Sequence, residues 1–340
     1  MKTSDFSFEL PKELIAQTPL SNRSASKLMV LDKEEQSISH HHFDELINFL
    51  RPNDLLVMNN TKVIPARLFG TKEETHAHVE LLILKIVENK AECLVGNAKV
   101  VKIGTVITFG EGLLKALCVE VKDEGIRVFE LIFEGILMEL LDTLGEMPLP
   151  PYIHEKLEDK NRYQTVYAKV EGSAAAPTAG LHFTPELLKQ IKDKGISIAE
   201  ITLHVGLGTF RPVKVDDVHQ HVMHLEEYEV SEEVATLLNE AKSNSRRIIS
   251  IGTTTTRVLE SQMSRYGKFV SEQSSTDIFI YPGYQFKAID ALVTNFHLPE
   301  STLLMLVSAF SSKEFIMKAY QEAIDYEYRF FSFGDSMLIQ

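Results

Sequence analysis

The strongest constraint on the fold of this chain is a repeated order of segments: a short apolar strand, a polar or glycine-bearing loop and, in most cases, a helix. The apolar stretches are residues 55–58, 196–205, 248–251 and 291–293. Alternating strands and helices predict a mainly parallel sheet, because parallel neighbours need a crossover connection. Ligands of such sheets bind at the carboxyl ends of the strands, so we expect the functional site in the polar loops that follow them.

The pattern changes between residues 66 and 144. A short helix at 135–144 and a stiff proline-rich stretch at 147–152 close this region. Before them, short β-type runs are separated by glycines or charged turns, which is typical of a small antiparallel barrel or sandwich. The sequence therefore predicts a β-rich domain inserted into an α/β chain. The runs are 79–87, 91–95, 106–109, 114–121 and 127–133.

Composition narrows the class of protein. The 340 residues suffice for two domains, and a formal net charge of −13 argues against coating nucleic acid by bulk electrostatics, although it allows a local basic face. The first 14 residues lack the apolar core of a signal peptide, and no apolar stretch is long enough to cross a bilayer. Cys93 and Cys118 have no redox or metal-ligand spacing and are expected to be buried thiols. These features predict a cytoplasmic protein.

The strand at 196–205 has one face that becomes polar toward its carboxyl end. Period-two alternation places Glu200, Thr202 and His204 together on that face. Stray polar groups are costly inside a parallel sheet, which favours a functional role over a partly solvated strand.

Two runs of small residues flank this strand, 174–184 (AAAPTAGLHFT) and 204–212 (HVGLGTFRP). Small residues let a ligand approach the backbone, and histidine is the side chain best suited to proton transfer near neutral pH. The second run lacks the third glycine of a dinucleotide fingerprint because Arg211 occupies that position, which excludes a Rossmann site. Threonines 253–256 open a helix and offer amides and hydroxyls to a carboxylate or phosphate, although plain N-capping explains them equally well.

Four potential metal ligands lie within eight residues: His219, His221, His224 and Glu226. Their spacing matches no common zinc motif, and no further cluster supports it, so a metal site is the minor interpretation. The internal triplet 40–42 (HHH) is expected to be a solvated strand end or turn.

Taken together, these motifs resemble the S-adenosylmethionine:tRNA ribosyltransferase-isomerase family of queuosine biosynthesis, over nearly the whole chain. Several of the motifs are specific to that family. They are the two runs above with 8–11 (FELP), 14–17 (LIAQ), 59–67 (NNTKVIPAR), 150–153 (PPYI), 162–167 (RYQTVY), 221–226 (HVMHLE), 276–283 (TDIFIYPG), 295–299 (NFHLP) and 331–335 (FSFGD).

The resemblance implies a barrel-like α/β catalytic domain formed by residues 1–65 and 151–340, with a small antiparallel β-barrel domain inserted at 66–150. It also implies a reaction in which the ribosyl part of S-adenosylmethionine is moved onto 7-aminomethyl-7-deazaguanine at the tRNA wobble position. Adenine and methionine leave, and epoxyqueuosine remains. S-adenosylmethionine is then a consumed co-substrate, with no metal and no membrane involved. The expected partners are precursor tRNA and S-adenosylmethionine, bound by a monomer or homodimer.

This chemistry requires a base for the amine and the C5′ proton, and His182 and His204 are the candidates. A proton donor to the departing adenine would be His224 or Glu226. Thr253 and Thr254 would hold the methionine carboxylate. For tRNA, Arg67 or Arg211 would meet a phosphate and Phe183 or Phe210 would stack on the flipped-out base. The other candidate substrate-binding residues are Asn59, Thr61, Pro177, Thr178, Gly180, Gly206, Gly208, Thr209, Asn295 and His297.

The chain departs from the family pattern at three places. Residues 75–78 (THAH) replace a usual Thr-Gly-Gly, and 96–102 (GNAKVVK) replace a proline- and basic-rich stretch, which puts a tRNA contact in the inserted domain in doubt. Residues 23–28 (RSASKL) lack the usual aspartate and have lysine for a second arginine. Two alternatives are a metal-dependent hydrolase on an α/β barrel, built on the histidine cluster, and a tRNA-binding protein without catalysis.

Overall fold

A computed structural model describes residues 1–206, 213 and 215–340. The chain divides into two compact units, the first made of 1–61, 150–169 and 177–340 and the second of 62–149 and 170–176. The strands of the described residues are β1 (Lys27–Asp32), β2 (Ser37–His42), β3 (Leu55–Asn59), β4 (Thr61–Val63), β5 (Arg67–Lys72), β6 (His78–Val87), β7 (Lys90–Val95), β8 (Val106–Phe109), β9 (Leu114–Val121), β10 (Ile126–Phe133), β11 (Val170–Ser173), β12 (Ser197–Leu203), β13 (Glu226–Val230), β14 (Ile248–Ile251), β15 (Glu272–Thr276), β16 (Ala291–Asn295) and β17 (Ser336–Ile339). The α-helices are α1 (Leu137–Leu144), α2 (Pro185–Asp193), α3 (Glu232–Ser243), α4 (Thr253–Tyr266), α5 (Thr302–Phe310) and α6 (Lys313–Asp325).

The first unit is built on a nine-stranded sheet of the described residues, in the order β15-β13-β12-β3-β14-β16-β17-β1-β2. The four apolar stretches identified from sequence are adjacent in it, as β12, β3, β14 and β16, and all run parallel. The expectation of a mainly parallel sheet is nevertheless wrong. The other neighbours are antiparallel apart from β1 and β17. One reason is local: the four residues between β1 and β2 are too few for a crossover.

Helix ends in the first unit follow from local hydrogen bonding. The Thr184 hydroxyl accepts the amide of Leu187 at 3.2 Å, and Pro185 occupies the first position of α2, where its missing N–H costs nothing. Leu187 and Ile191 on the inner face of α2 pack into a core with apolar residues of β1, β3, β14, β16 and β17. The same kind of cap begins α3, where the Ser231 hydroxyl accepts an amide at 3.3 Å.

The second unit contains a closed antiparallel barrel in the order β10-β7-β6-β5-β8-β9, which confirms the predicted β-barrel within a mixed α/β fold. Buried and less buried residues alternate along its strands, as in β9. Both cysteines of this unit are buried, and burial raises the pKa of each thiol. A Cβ on Gly70 of β5 would lie 2.5 Å from the Phe109 ring, so glycine is required for that close approach.

A two-stranded sheet pairs β4 with β11. Within the described ranges, no helix is both long and apolar enough to span a membrane.

Candidate active site

The parallel strands β12, β3, β14 and β16 all end at one edge of the sheet in the first unit. His204 follows β12, Thr61 lies just beyond β3, Gly252 follows β14, and Asn295 is the last residue of β16. Because β17 is antiparallel to β16, with Ser336 opposite Asn295, the residues that precede β17 and β1 lie at this edge too. The expected gathering of polar loops at one edge is therefore present.

His204 is the half-buried side chain that ends the polar face of β12. Its Nδ1 lies 2.9 Å from the hydroxyl of Thr61, while its Nε2 makes no hydrogen bond to another described residue. Burial lowers the pKa of His204, and the charges of Glu227 and Glu229 partly oppose that shift. The ring is therefore neutral near pH 7, with one nitrogen oriented and the other open.

His204 borders a cavity of about 510 Å³. The cavity lies on one face of three neighbouring strands, because residues paired across a sheet share a face. Thr202 is paired with Glu229, and Glu229 with Gln273. The remaining lining residues are Glu227, Tyr228, Ser274 and Ser275.

The polar face of β12 continues away from the edge as a network of side chains. The Thr202 hydroxyl donates to Asn60 at 2.7 Å, and the Asn60 amide donates to Glu200 at 3.4 Å. The Glu200 carboxylate also accepts from Lys169 at 2.6 Å. Glu200 is thus held in an ion pair, so it does not share the open position of His204.

The side chain of Asn59 links two neighbouring strands by hydrogen bonds. Its amide oxygen accepts the backbone N–H groups of Thr61 and Leu203, at 3.1 and 3.0 Å, and its amide nitrogen donates to the Leu203 carbonyl at 2.9 Å. The residue has no exposed surface. Asn59 therefore ties β3 to β12 and fixes the turn that presents Thr61 to His204.

His182 lies at the end of a short 3-10 helix, Thr178–His182, and is only 4% exposed. Its Nδ1 lies 2.7 Å from the Ser26 hydroxyl, and its ring stacks on Phe43 with centroids 4.8 Å apart. Burial lowers the pKa of His182 to about 4, while the side chain of Asn295 acts in the opposite direction. His182 is therefore a neutral, enclosed ring.

The run around His182 is mostly packed interior. A Cβ on Gly180 would lie 2.0 Å from the Tyr167 hydroxyl, so only glycine fits there. Phe183 has no exposed surface and meets Phe43 edge-on at 4.9 Å. A nucleobase cannot stack on a ring without exposed surface, and we assign Phe183 to the core. Pro177 is buried and Thr178 half-buried.

Helix α4 starts at the threonines for which anion binding and N-capping were the two expectations. The hydroxyls of Thr255 and Thr256 donate back to strand β14 and its loop, and the N-cap is Gly252, so these threonines do not N-cap the helix. Those of Thr253 and Thr254 make no hydrogen bond to other described residues. Gly252, at φ +91°, precedes them, and a Cβ there would lie 3.6 Å from Ala179 of the Thr178–His182 helix.

The histidine cluster is dispersed. Glu226 is buried in an ion pair with Arg257, whereas His224 is exposed in the segment before β13. The rings of His219 and His221 lie edge-on against Tyr281 and Phe279. Among the described residues, no three histidine, cysteine, aspartate or glutamate side chains are grouped as metal ligands.

The remaining predicted residues fall into three groups. Asn295 donates to the Phe331 carbonyl at 3.0 Å, and His297 bonds to Thr294 at 2.9 Å with its pKa lowered to about 3 by burial. Arg67 belongs to the second unit, where it lies 3.4 Å from Glu80 and donates to the Leu149 carbonyl. Gly206 is described, and the predictions for Gly208, Thr209, Phe210 and Arg211 lie outside the described residues.

Sequence reasoning did not identify Ser26, Arg162 or Arg329, which lie around His182 or in the neighbouring pocket. Ser26 is 156 positions from His182, so no local spacing connects them. Arg162 lies inside the family-like motif at 162–167 and Arg329 just before the one at 331–335, and their positive charge was the available signal.

Comparisons with known proteins agree over the whole chain. The family model for queuosine biosynthesis protein matches residues 3–339. Two proteins named S-adenosylmethionine:tRNA ribosyltransferase-isomerase, from Macrococcus caseolyticus and Staphylococcus haemolyticus, are 60% and 59% identical over 339 and 340 residues, which is 100% of each chain. A crystal structure of S-adenosylmethionine tRNA ribosyltransferase from Thermotoga maritima is 40% identical, covers 99% of this chain and 100% of its own, and has a TM-score of 0.56. This chain belongs to the queuosine biosynthesis protein family.

Proposed function

We propose that this chain is an S-adenosylmethionine:tRNA ribosyltransferase-isomerase. It moves and isomerises the ribosyl part of S-adenosylmethionine onto 7-aminomethyl-7-deazaguanine at the tRNA wobble position, giving epoxyqueuosine, adenine and methionine. One observation carries the proposal: the open, oriented His204 stands at the sheet edge of a chain that matches proteins of that name at about 60% identity from end to end.

The reaction needs a base twice, since the amine must be neutral to attack C5′ and a C5′ proton must leave beside the sulfonium. We assign this role to His204. With its proton on Nδ1, facing the Thr61 hydroxyl, Nε2 carries the lone pair that accepts a proton. His182 is the other candidate base, but only 4% of its surface is exposed, so we assign it to positioning.

Departing adenine leaves more readily when it is protonated. Protonating Glu226 would break its ion pair with Arg257, which leaves the exposed His224 as the proposed donor. For the methionine carboxylate, we propose the amides and the Thr253 and Thr254 hydroxyls at the start of α4, where the helix dipole favours an anion.

The remaining assignments are part of the same proposal. Residues 1–65 and 151–340 form the catalytic domain, and residues 66–150 form the inserted domain. Arg67 or Arg211 contacts tRNA phosphate. No metal takes part. The enzyme acts in the cytoplasm as a monomer or homodimer.

The test is a turnover assay with purified protein, labelled S-adenosylmethionine and tRNA that carries the precursor base. Adenine and methionine should be released in equal amounts, and epoxyqueuosine should appear in the tRNA. Tight tRNA binding without release would instead support a non-catalytic binding protein. Bound stoichiometric metal, with activity lost to a chelator, would support the hydrolase.

A further inference from the structure

A second, smaller pocket lies in the first unit beside His182. It encloses about 20 Å³, which is room for one atom or group of the size of a water oxygen. The residues that matter at its wall are Arg23, Ser26, Arg162, His182 and Ser332. Both arginines are half-buried, so the pocket is open to a group that arrives from outside.

The two arginines are bonded to neutral acceptors. Arg23 donates to the carbonyls of Leu181 and Asn161, at 3.1 and 2.8 Å. Arg162 donates to the carbonyls of Ser21 and Leu20. Carbonyl oxygens satisfy N–H groups but leave the positive charge uncompensated. Neither arginine has a carboxylate partner within 4.0 Å among the described residues.

The charges in this region are unbalanced. Arg162 repels Arg23, and the cations Arg23 and Arg329 both act on His182. Asp159 and Asp335 oppose the charges of Arg23 and Arg329 from a distance, and neither forms a salt bridge with them among the described residues. Asp159 accepts the amide of Asn161 at 2.9 Å. Asp335, similarly, accepts the amides of Lys27 and Arg329, at 2.8 and 2.7 Å.

Two arginine N–H groups in this region also lack an acceptor among the described residues. Arg162 Nε and Arg329 Nη1 are buried without a hydrogen-bond partner among the described residues. An unsatisfied buried donor is costly, and most such groups in folded proteins find an acceptor. Arg162, which lines the pocket, therefore brings to it both a positive charge and an unused N–H group that an oxyanion would satisfy.

Holding the chain in place explains only part of this arrangement. The arginines do fasten residues 18–23, since Arg329 donates to the Thr18 carbonyl as well. That role does not require like charges next to each other in a protein with a net charge of −13, where carboxylates are plentiful.

We propose that Arg23 and Arg162 bind one backbone phosphate of the tRNA. A phosphate can place one oxygen in the small pocket and keep its ester links outside. The guanidinium fork matches phosphate oxygens in geometry. This inference rests on the proposed function, because it takes tRNA as the substrate.

The test measures the affinity for precursor tRNA at several salt concentrations. Arg162→Gln and Arg23→Gln should each weaken binding about ten-fold at fixed salt, as expected for loss of a charged hydrogen bond. Each should also lower the slope of log affinity against log salt by about one. The control is Arg51→Gln, which removes the same charge from an exposed position and should change neither quantity. An unchanged slope in both variants overturns the inference.

Two further measurements distinguish a phosphate site from a purely structural role and from a site for the methionine carboxylate. Arg162→Lys keeps the charge, so it should keep most of the salt slope. A loss equal to that of Arg162→Gln, together with a lower melting temperature, would indicate a purely structural role. Equilibrium binding of labelled S-adenosylmethionine should be unchanged in Arg162→Gln. If this variant instead binds S-adenosylmethionine more weakly and tRNA normally, the pocket belongs to the methionine carboxylate.

Failure of this inference can be told apart from failure of the proposed function. Binding is measured without turnover, whereas the function is tested by adenine release from the wild-type protein. Wild-type protein that releases adenine but shows equal salt slopes with Arg162→Gln overturns only the phosphate site. Wild-type protein that does not bind tRNA overturns both.

Discussion

His182 and His204 stand at the same edge of the sheet and differ in almost everything else. His204 is half-buried, has one nitrogen on Thr61 and faces a cavity of about 510 Å³. His182 is 4% exposed, bonded to Ser26 and stacked on Phe43. Both rings are neutral because burial lowers both pKa values. A base must also reach the proton that it removes, and this is why our proposal assigns that role to His204 and a positioning role to His182.

The largest effect expected from this comparison is on turnover. His204→Ala should lower kcat by 10²-fold to 10⁴-fold, the usual worth of a general base. Single-turnover release of adenine from S-adenosylmethionine measures it. His182→Gln is the matched variant and should keep kcat within about 10-fold. Equal losses in both variants would contradict the distinction drawn between the two rings.

The next effect is on stability as a function of pH. The pKa of His182 is about 4 in the folded chain, against an ordinary value of 6.5. Protons therefore favour the unfolded chain, so this contribution is present above pH 6.5 and is lost as the pH falls toward 4. The loss is about 3 kcal/mol.

Denaturant unfolding between pH 7.5 and 4.5 checks this prediction. His182→Gln should flatten the decline in the free energy of unfolding. The pKa of His297 is also low, so part of the slope should remain. The control is His224→Gln, which replaces an exposed histidine and should leave the decline as in the wild type. A decline as steep in His182→Gln as in the wild type would show that His182 is not the enclosed neutral ring described.

A smaller effect on stability is expected from adding a methyl group at Gly180, in the packed run beside His182. Gly180→Ala places a Cβ about where the Tyr167 hydroxyl now lies, 2.0 Å away. Overpacking of this kind costs about 1–3 kcal/mol of unfolding free energy. The double variant Gly180→Ala with Tyr167→Phe removes the clashing oxygen and should recover part of the loss in chemical denaturation. No recovery would mean that the clash is with Thr165 or with the aromatic ring at position 167 instead.

The smallest effect concerns the orientation of His204. Thr61→Val removes the hydroxyl beside Nδ1 and should lower kcat about 5-fold to 10-fold, the worth of one hydrogen bond. Thr61→Ser keeps the hydroxyl and should retain the wild-type rate. If valine and serine behave alike in the same turnover assay, Thr61 does not orient the base.

The central fold was predictable because its signal is local. Four apolar stretches followed by polar loops became the four adjacent parallel strands, and period-two alternation placed Thr202 and His204 on one face. Strand β5 (Arg67–Lys72) was missed, since its glycine and charged ends resemble a loop. The antiparallel neighbours were also missed, because the pairing of β17 with β16 and β1 depends on distant parts of the chain.

The site was predictable only where it lies along one strand. The polar face of β12 identified His204, but no pattern in the sequence distinguishes an open histidine from an enclosed one. That distinction is made by Ser26 and Phe43, which come from a different part of the chain. Phe183 was likewise predicted to stack on a base, yet it belongs to the same buried cluster.

The position of β17 has a consequence for how the protein is made. In the sheet, the hairpin β1–β2 is joined to the other strands through β17 alone, within the described residues. Ser336 of β17 is 309 positions from Lys27 of β1. A ribosome therefore finishes the hairpin long before it makes the strand that covers the open edge of β1. Until then that edge can pair with another nascent chain, and prematurely terminated products should be especially prone to aggregate.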